Sequence, residues 1–284
     1  MLFVPMQYLL PQHTFSRVVL RATRIETPAI KNALIGAFVR GFQPDMSDAV
    51  VSDPLAYASF NAFFTRALRD DARPIAAADD ALASPVDGTV SEAGPIAANR
   101  LMQAKGQHYT LDALLSGAAA TWAPAFRDGM FATIYLAPYN YHRIHMPVDG
   151  HLVEAWYVPG RLFSVNAATA AAVPGLFARN ERVVLIFEGR CGPFAVILVG
   201  ALFVGSMTTV WHGDVTPRRP RRAALLPATP LRAPPGLARG AELGRFNMGS
   251  TVILLFGKNR VELAPQVAAG RRVIMGESLG RLLR

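Results

Sequence analysis

The sequence is poor in cysteine, and this shortage excludes two classes of protein. Cys191 is the only cysteine among 284 residues, which rules out an intrachain disulfide framework and fits a reducing compartment. It lacks the spacing to other cysteines or histidines that a metal site requires. We therefore expect no metal site and a packing role for this side chain.

Long apolar runs are also missing, although the chain as a whole is apolar. Hydrophobic residues make up 51% of it and charged residues 17%. No stretch reaches the roughly 20 uninterrupted apolar residues of a spanning helix. The N-terminal apolar run contains Pro5 and lacks the flanks of a signal peptide. The length predicts one large domain, or a domain with an appendage, without a transmembrane helix.

The charge that is present is mainly positive. The formal net charge is +9, and a basic surface can serve nucleic acid, anionic lipid or solubility alone. Because no nucleic-acid module signature occurs and the aromatic residues are not interleaved with basic ones, we expect anionic lipid and no nucleic acid. Four arginines of the proline-rich segment 216–240 either meet lipid head groups or belong to a solvated loop: Arg218, Arg219, Arg221 and Arg222.

The first fifty residues have the pattern of short amphipathic helices. Thr27-Pro28 is a typical helix start, a capping hydroxyl followed by proline in the first turn. Apolar residues then recur at helical spacing: Ile30, Leu34, Ile35, Phe38, Val39 and Phe42. An upstream basic face is formed by Arg17, Arg21 and Arg24. Residues 1–50 are predicted to be a membrane-associating helical segment; the alternative is a helical hairpin packed on the domain.

The remainder, residues 51–284, is predicted to be the catalytic domain. Asp53-Pro54 indicates one more helix, and we expect one side of it, with Phe60, Phe63, Phe64 and Leu68, to lie in the core. From about Ala83 onward, short β-type runs alternate with glycine and proline. They include 131–136, 182–187, 194–204, 208–211 and 251–256. The expected fold class is α+β, with N-terminal amphipathic helices followed by a mainly antiparallel β-rich catalytic body.

Three local patterns carry residues with chemistry. Gly249-Ser250-Thr251 opens a buried β-run, Asp87-Gly88 follows Ser84-Pro85-Val86, and His142 and His145 flank an arginine and an isoleucine. Serine, histidine and aspartate are the components of a proton-relay triad. Taken alone, each has a plainer interpretation, because Asp-Gly is a common turn, the histidines suit an ordinary loop, and Ser250 could simply start a strand.

A series of further motifs, in a fixed order, places the chain near a known family. They are Gln7-Tyr8-Leu9-Leu10-Pro11, the stretch from Phe60-Asn61 through Arg69-Asp70, Gln103-Ala104-Lys105-Gly106, Tyr157-Val158-Pro159-Gly160, Leu162-Phe163-Ser164-Val165-Asn166, Leu176-Phe177-Ala178-Arg179-Asn180-Glu181-Arg182 and Gly244-Arg245-Phe246 before Gly-Ser-Thr. With these motifs the chain resembles the prokaryotic phosphatidylserine decarboxylases over nearly its whole length. One departure is Met248, where the family usually has leucine; the volumes are similar, so the change should be mild.

The resemblance implies a proenzyme that cuts itself between Gly249 and Ser250. The products would be a β chain of residues 1–249 and an α chain of residues 250–284, which stay together as a heterodimer. Ser250 would become a pyruvoyl group, the cofactor that withdraws electrons during decarboxylation. We expect His145 to be the base that activates Ser250, Asp87 to orient His145, and His142 to return a proton to the product.

The implied reaction is the conversion of phosphatidylserine to phosphatidylethanolamine in phospholipid biosynthesis. The family is peripheral on the cytoplasmic face of the bacterial cell membrane, so the expected partner is phosphatidylserine in an anionic membrane; the resemblance leaves a higher homo-oligomer open. Two alternatives remain from the residues alone. One is a serine hydrolase using Asp87, His145 and Ser250, although no Gly-x-Ser-x-Gly elbow occurs. The other is a non-catalytic peripheral lipid-binding protein.

Overall fold

The computed structural model describes residues 3–104, 106–202, 206–216, 221–227 and 236–283. Lys105, Arg218 and Arg219, named above, lie outside the described residues, as do 203–205 at the end of one predicted strand. The sequence predictions that involve these positions therefore stay predictions.

Helices are concentrated at the N-terminus, as predicted. They are α1 Phe3–Leu9, α2 Gln12–Thr23, α3 Pro28–Phe42, α4 Phe60–Phe64, α5 Leu111–Leu115, α6 Ala119–Phe126, α7 Ala167–Ala172 and α8 Leu176–Arg179. Pro28 is the first residue of α3, but the Thr27 hydroxyl makes no capping hydrogen bond. The helix predicted from Asp53 is wrong in extent. Residues 54–56 form one 3-10 turn, and α4 begins separately where the Ser59 hydroxyl accepts a hydrogen bond from the Ala62 backbone N–H.

The rest of the described chain is mainly strand. The strands are β1 Ala81–Ala83, β2 Gly88–Pro95, β3 Arg100–Ala104, β4 Gln107–Thr110, β5 Met130–Tyr135, β6 Arg143–His145, β7 Gly150–Val158, β8 Arg182–Gly189, β9 Gly192–Val199, β10 Met207–Thr209, β11 Gly213–Asp214, β12 Ala224–Leu225, β13 Glu242–Phe246, β14 Thr251–Phe256, β15 Val261–Leu263, β16 Arg272–Val273 and β17 Ser278–Leu282.

These strands pair antiparallel throughout. The largest sheet has the order β12-β7-β8-β9-β14-β5-β2-β16, and smaller sheets have the orders β11-β10-β13-β6, β1-β17-β15 and β3-β4. Every pairing between these strands is antiparallel. The predicted α+β class, with helices first and an antiparallel β-rich body after them, is confirmed.

Strand β14 lies in the centre of the large sheet, and this position explains its unbroken apolar sequence. It pairs with β5 on one side and β9 on the other, and all six of its residues are buried. Val252, Leu254 and Phe256 belong to one hydrophobic cluster, while Ile253 and Leu255 belong to another. Because both faces are covered, alternation with polar residues is absent. Ser250, one residue before β14, therefore enters a fully enclosed part of the fold.

A separate hydrophobic cluster connects the N-terminal helices to the body. Ile35 and Phe38 of α3 pack with Phe60, Phe63 and Phe64 of α4, and the Phe38 ring meets those three rings nearly edge-on. Such contacts add to the free energy of apolar burial. Helix α3 thus uses only part of its apolar stripe for packing. Within the described ranges, none of the helices combines the length and the hydropathy needed to span a bilayer.

Candidate active site

Ser250 lies in the enclosed gap between β5 and β9. Its carbonyl accepts a hydrogen bond from the Leu136 backbone N–H at 2.8 Å, and the next residue, Thr251, pairs with both Tyr135 and Val199. The side chain is fully buried, and its hydroxyl donates to the Val199 carbonyl. Two neighbouring strands therefore hold the Ser250 backbone, so the hydroxyl has a defined position next to the preceding peptide.

Gly249 brings His142 directly against the peptide before Ser250. A Cβ placed on Gly249 would lie 3.1 Å from the His142 Nε2 and 3.4 Å from the Leu136 carbonyl oxygen. The first approach is tighter than ordinary van der Waals contact, so a side chain at residue 249 would require the imidazole to shift by a few tenths of an ångström. Glycine therefore allows His142 to approach the peptide closely.

His142 is fully buried, and one of its ring nitrogens is free. Its Nδ1 lies 2.8 Å from the Asn140 carbonyl oxygen, which can only accept, so Nδ1 carries the proton. Its Nε2 has no hydrogen-bond partner among the described residues, and the ring packs on Phe64 with centroids 4.1 Å apart. Burial lowers the pKa of His142 to about 3. The ring is therefore neutral at pH 7, with the Nε2 lone pair turned towards Gly249.

His145 is also buried, but both of its nitrogens are engaged. Nδ1 donates to the Gly240 carbonyl at 2.7 Å, and Nε2 accepts from the Tyr141 hydroxyl at 3.0 Å. Burial lowers the pKa of His145. The His145 backbone N–H donates to the Pro85 carbonyl at 2.9 Å, so β6 runs beside the segment that carries Asp87.

Asp87 is held by an arginine that the sequence analysis did not single out. Arg73 donates to both carboxylate oxygens, from Nε at 3.1 Å and from Nη2 at 2.7 Å. The Met275 backbone N–H donates a third bond at 2.8 Å, and the Nη1 of Arg73 also reaches Asp48 at 2.6 Å. The expected hydrogen bond from His145 to Asp87 is not among those of the described residues. The planar guanidinium matches a carboxylate, and the Gly240 carbonyl already occupies the His145 Nδ1.

The four predicted residues are thus gathered as two pairs. Ser250 and His142 both lie next to Gly249. His145 is linked to the Asp87 segment by the hydrogen bond from its backbone N–H to the Pro85 carbonyl. In the part of the chain that the structure describes, no hydrogen bond joins one pair to the other. Tyr141 and Arg73 are the neighbours that sequence reasoning missed. Tyr141 directly precedes His142 in the sequence, and Arg73 follows Arg66 and Arg69 after α4, but no local pattern indicated a role for either residue.

Two cavities approach this region from different sides. An apolar one of about 370 Å³ lies between α2, α3, α4 and the body; its lining residues are Val19, Phe38, Phe42, Phe64, Tyr135, Leu136, Pro138, Ser164, Val165, Ala201, Leu202, Met248 and Gly249. A polar one of about 190 Å³ is lined by Asp87 and Tyr141, together with Gln43, Asp45, Asp48, Arg66, Leu68, Arg73, Tyr139 and Asn140. An apolar ligand in the first cavity would therefore contact Gly249.

Comparison with known proteins identifies the family. Residues 60–281 match the family model described as phosphatidylserine decarboxylase, and residues 2–43 match a second model described as PSD. Similar proteins include the phosphatidylserine decarboxylase proenzymes of Stutzerimonas stutzeri (51% identical, 99% of this chain and 94% of the relative), Methylococcus capsulatus (51%, 98% and 96%) and Azotobacter vinelandii (50%, 99% and 98%). Identity at this level over nearly the full length of both proteins leaves the assignment in no doubt. The chain belongs to the phosphatidylserine decarboxylase family.

Proposed function

We propose that this chain is a self-processing proenzyme that decarboxylates phosphatidylserine to phosphatidylethanolamine. One observation supports the proposal beyond family membership: fully buried Ser250 follows a half-buried Gly249 that lines an apolar cavity and lies next to a His142 nitrogen without a hydrogen-bond partner among the described residues. The serine hydrolase alternative fits less well. The Ser250 hydroxyl is buried and engaged with Val199, whereas a hydrolase exposes its nucleophile to a foreign substrate.

The processing reaction uses only groups of the chain itself. The Ser250 oxygen attacks the Gly249 carbonyl carbon, and the acyl group moves from nitrogen to oxygen to give an ester. Loss of the Ser250 Cα proton then breaks the Cβ–O bond and releases the Gly249 carboxylate. The dehydroalanine that remains takes up water and loses ammonia, which leaves a ketone at residue 250.

In this proposal His145 takes the proton from the Ser250 hydroxyl, and Asp87 supports it. The neutral His145 ring has its lone pair on Nε2, the correct form for a base, because Nδ1 donates to Gly240. Tyr141 occupies that lone pair in this structure. Activation of Ser250 would therefore require the His145 Nε2 to give up its hydrogen bond with Tyr141 and accept the Ser250 proton instead. Asp87, fixed by Arg73, supplies a negative charge near the ring, which favours the imidazolium.

The site fits a pyruvoyl group at residue 250, because the buried His142 has a nitrogen without a hydrogen-bond partner among the described residues, close to Gly249. When present, that group supplies a ketone that condenses with the substrate amine and draws electrons away as carbon dioxide leaves. His142 would accept the proton that the substrate ammonium must lose and later return it to carbon. A buried imidazolium is unfavourable, so it readily gives the proton back.

The apolar cavity is the proposed place of an acyl chain, and the N-terminal helices are the proposed membrane contact. Several large apolar side chains of these helices are exposed, among them Leu9, which is 88% exposed, with Phe15, Val18 and Ile30. Arg17 and Arg21 lie exposed on the same helix as Phe15 and Val18. This arrangement suits residues 1–50 lying in the interface of an anionic membrane. The protein would be peripheral, on the cytoplasmic side, with residues 51–284 as the catalytic domain.

After cleavage the two chains would stay together. Residues 250–284 supply the central strand β14, and they also supply β16 and β17, which pair with β2 and β1 of the larger chain. Separation would therefore open the hydrophobic core. This argument supports the heterodimer and does not address a higher homo-oligomer.

The test of this function is the intact mass of the purified protein, before and after reductive amination. The 30.7 kDa chain is expected to split into residues 1–249 and 250–284. Reductive amination should add mass only to the smaller chain, because only that chain would carry a ketone. His145→Ala and Asp87→Asn are expected to remain uncut over the same time, since the serine loses its base or the charge that supports it.

A single, full-length chain that decarboxylates phosphatidylserine would contradict the proposal. If the protein is cut but its small chain does not react in the reductive amination, the cleavage part of the proposal would stand and the pyruvoyl group would be excluded. Prompt cutting of either the His145 or the Asp87 variant would remove that residue from the processing chemistry.

Membrane attachment is expected to weaken with salt, because part of it is electrostatic. Binding to vesicles containing phosphatidylserine should fall between about 0.1 M and about 1 M salt, as the Debye length falls from about 10 Å to about 3 Å. A variant with Arg17→Gln and Arg21→Gln should bind more weakly and depend less on salt. Sedimentation with vesicles measures both. Vesicle binding that does not change with salt concentration would contradict the electrostatic contribution and leave apolar burial as the only source of membrane attachment.

A further inference from the structure

Arg66 is a buried cation with unused hydrogen-bond donors. The residue is 3% exposed, yet its Nε and Nη1 have no hydrogen-bond partner in the described chain. Among the described residues, the guanidinium makes one hydrogen bond, from Nη2 to the Tyr139 carbonyl at 3.3 Å. A buried donor without a partner costs free energy, most of all when it is charged. Such a group needs an explanation, and a ligand that binds it is one.

The acidic neighbours of Arg66 do not supply the missing partner. Asp48 and Asp87 are both engaged by Arg73, and Asp45 accepts from the Ser47 backbone N–H at 2.8 Å. Across the described ranges, Arg66 takes part in no ion pair; its guanidinium instead lies 5.9 Å from the centre of the Phe63 ring. The Arg66 guanidinium lines a polar cavity of about 190 Å³ together with the carboxylates of Asp45, Asp48 and Asp87, but none of these carboxylates forms an ion pair with it in the described chain.

The position of Arg66 connects that cavity to the active site. Phe64 and Pro138 line the apolar cavity, while Arg66 and Tyr139 line the polar one. The two segments 64–66 and 138–141 therefore contribute residues to both cavities, near the place where His142 packs on Phe64. A lipid with its acyl chain in the apolar cavity and its amine at residue 250 would direct its head group towards these segments.

We propose that Arg66 binds an oxyanion of the substrate head group and so holds the amine at residue 250. The proposal rests on the function proposed above. Phosphatidylserine offers two such oxyanions, the phosphodiester and the carboxylate, and both match the donors of a guanidinium. The Asn140 and Tyr141 segment faces the same cavity, so an anion bound there would lie next to the residues of the active site.

The test compares wild type with Arg66→Gln and Arg66→Lys, each shown by intact mass to be cut and by thermal melting to be folded. Arg69→Gln is the matched control, because Arg69 is three residues away with a side chain that is 48% exposed. For each protein, kcat and KM are measured for phosphatidylserine in mixed micelles of a neutral detergent. The Ki of phosphatidylethanolamine, which has the phosphodiester without the carboxylate, is measured in parallel.

Arg66→Gln is expected to raise KM by about tenfold or more, the size of a lost charge-assisted hydrogen bond, with a smaller change in kcat. Arg66→Lys should lie between this variant and wild type, and Arg69→Gln should match wild type. If the Ki of phosphatidylethanolamine rises with KM in Arg66→Gln, the group that Arg66 binds is the phosphodiester. If that Ki is unchanged, the group is the carboxylate.

An unchanged KM in cut, folded Arg66→Gln overturns the proposal. If that variant does not fold or is not cut, Arg66→Lys decides in its place: a raised KM with kcat retained supports the site, and wild-type values overturn it. Absence of decarboxylation by the wild type would instead refute the function on which the proposal depends.

Discussion

Ser250→Ala is expected to give a single uncut chain without decarboxylase activity. The substitution removes one oxygen, and that oxygen is both the attacking atom of the cleavage and the source of the new ketone. The loss should be complete, because alanine has no group that could form the ester. The fold should survive, since the β14 pairings to β5 and β9 use backbone atoms, although the hydrogen bond to the Val199 carbonyl is lost.

Intact mass and an assay for carbon dioxide release measure this result. Ser278→Ala is the matched control, because it removes an exposed hydroxyl from the same C-terminal segment and should be cut and active. If Ser250→Ala still yields the normal small fragment, the assignment of Ser250 as the residue that cuts the chain is wrong. A wild type that remains a single chain would favour the serine hydrolase, whereas a Ser250→Ala variant that keeps every activity of the wild type would favour the non-catalytic lipid-binding protein.

His142→Ala is expected to be cut normally but to decarboxylate poorly. The variant removes the Nε2 beside Gly249, and a missing general acid–base group typically lowers a rate by about 10²–10⁴-fold. His145 remains to serve the processing reaction, so the small fragment should still form. The variant also leaves a gap next to Phe64; a melting curve therefore accompanies the kinetics, because such a gap lowers stability.

The measurement is kcat on phosphatidylserine, corrected for the fraction of protein that is cut. His151→Ala is the control, since His151 is an exposed residue of β7. An unchanged kcat in cut His142→Ala would exclude the proton-transfer role. Failure to be cut would instead place His142 in the processing reaction, which its approach to Gly249 makes geometrically reasonable.

The sequence predicted the arrangement of elements well where local chemistry decides it. Pro28 starts α3 as expected, and the apolar run after Ser250 is the buried strand β14. The helix predicted from Asp53 was wrong, because the Ser59 side chain caps a new helix after a single 3-10 turn. Apolar spacing identified Phe60, Phe63, Phe64 and Leu68 as core residues. The structure buries the three phenylalanines, but Leu68, which lies beyond the end of α4, is only partly buried and lines the polar cavity.

The candidate site was predicted as a set of residues, but its contacts were not. The resemblance singled out Asp87, His142, His145 and Ser250, whose roles remain predictions. The hydrogen-bond partners of these residues come from distant parts of the chain: Arg73 and Met275 for Asp87, and Gly240 for His145. A hydrogen bond between residues far apart in sequence leaves no periodic trace, so no local pattern could have revealed it.

The linear order of residues alone was sufficient for the α+β class and the family, because strand periodicity, helix starts and motif order are properties of neighbouring residues. Only the folded chain decided that His142 rather than His145 lies against Gly249, that Arg73 holds Asp87, and that Arg66 is buried with free donors. These facts arise from packing across the sheets, where burial removes water and leaves each polar group dependent on whichever partner the fold brings near.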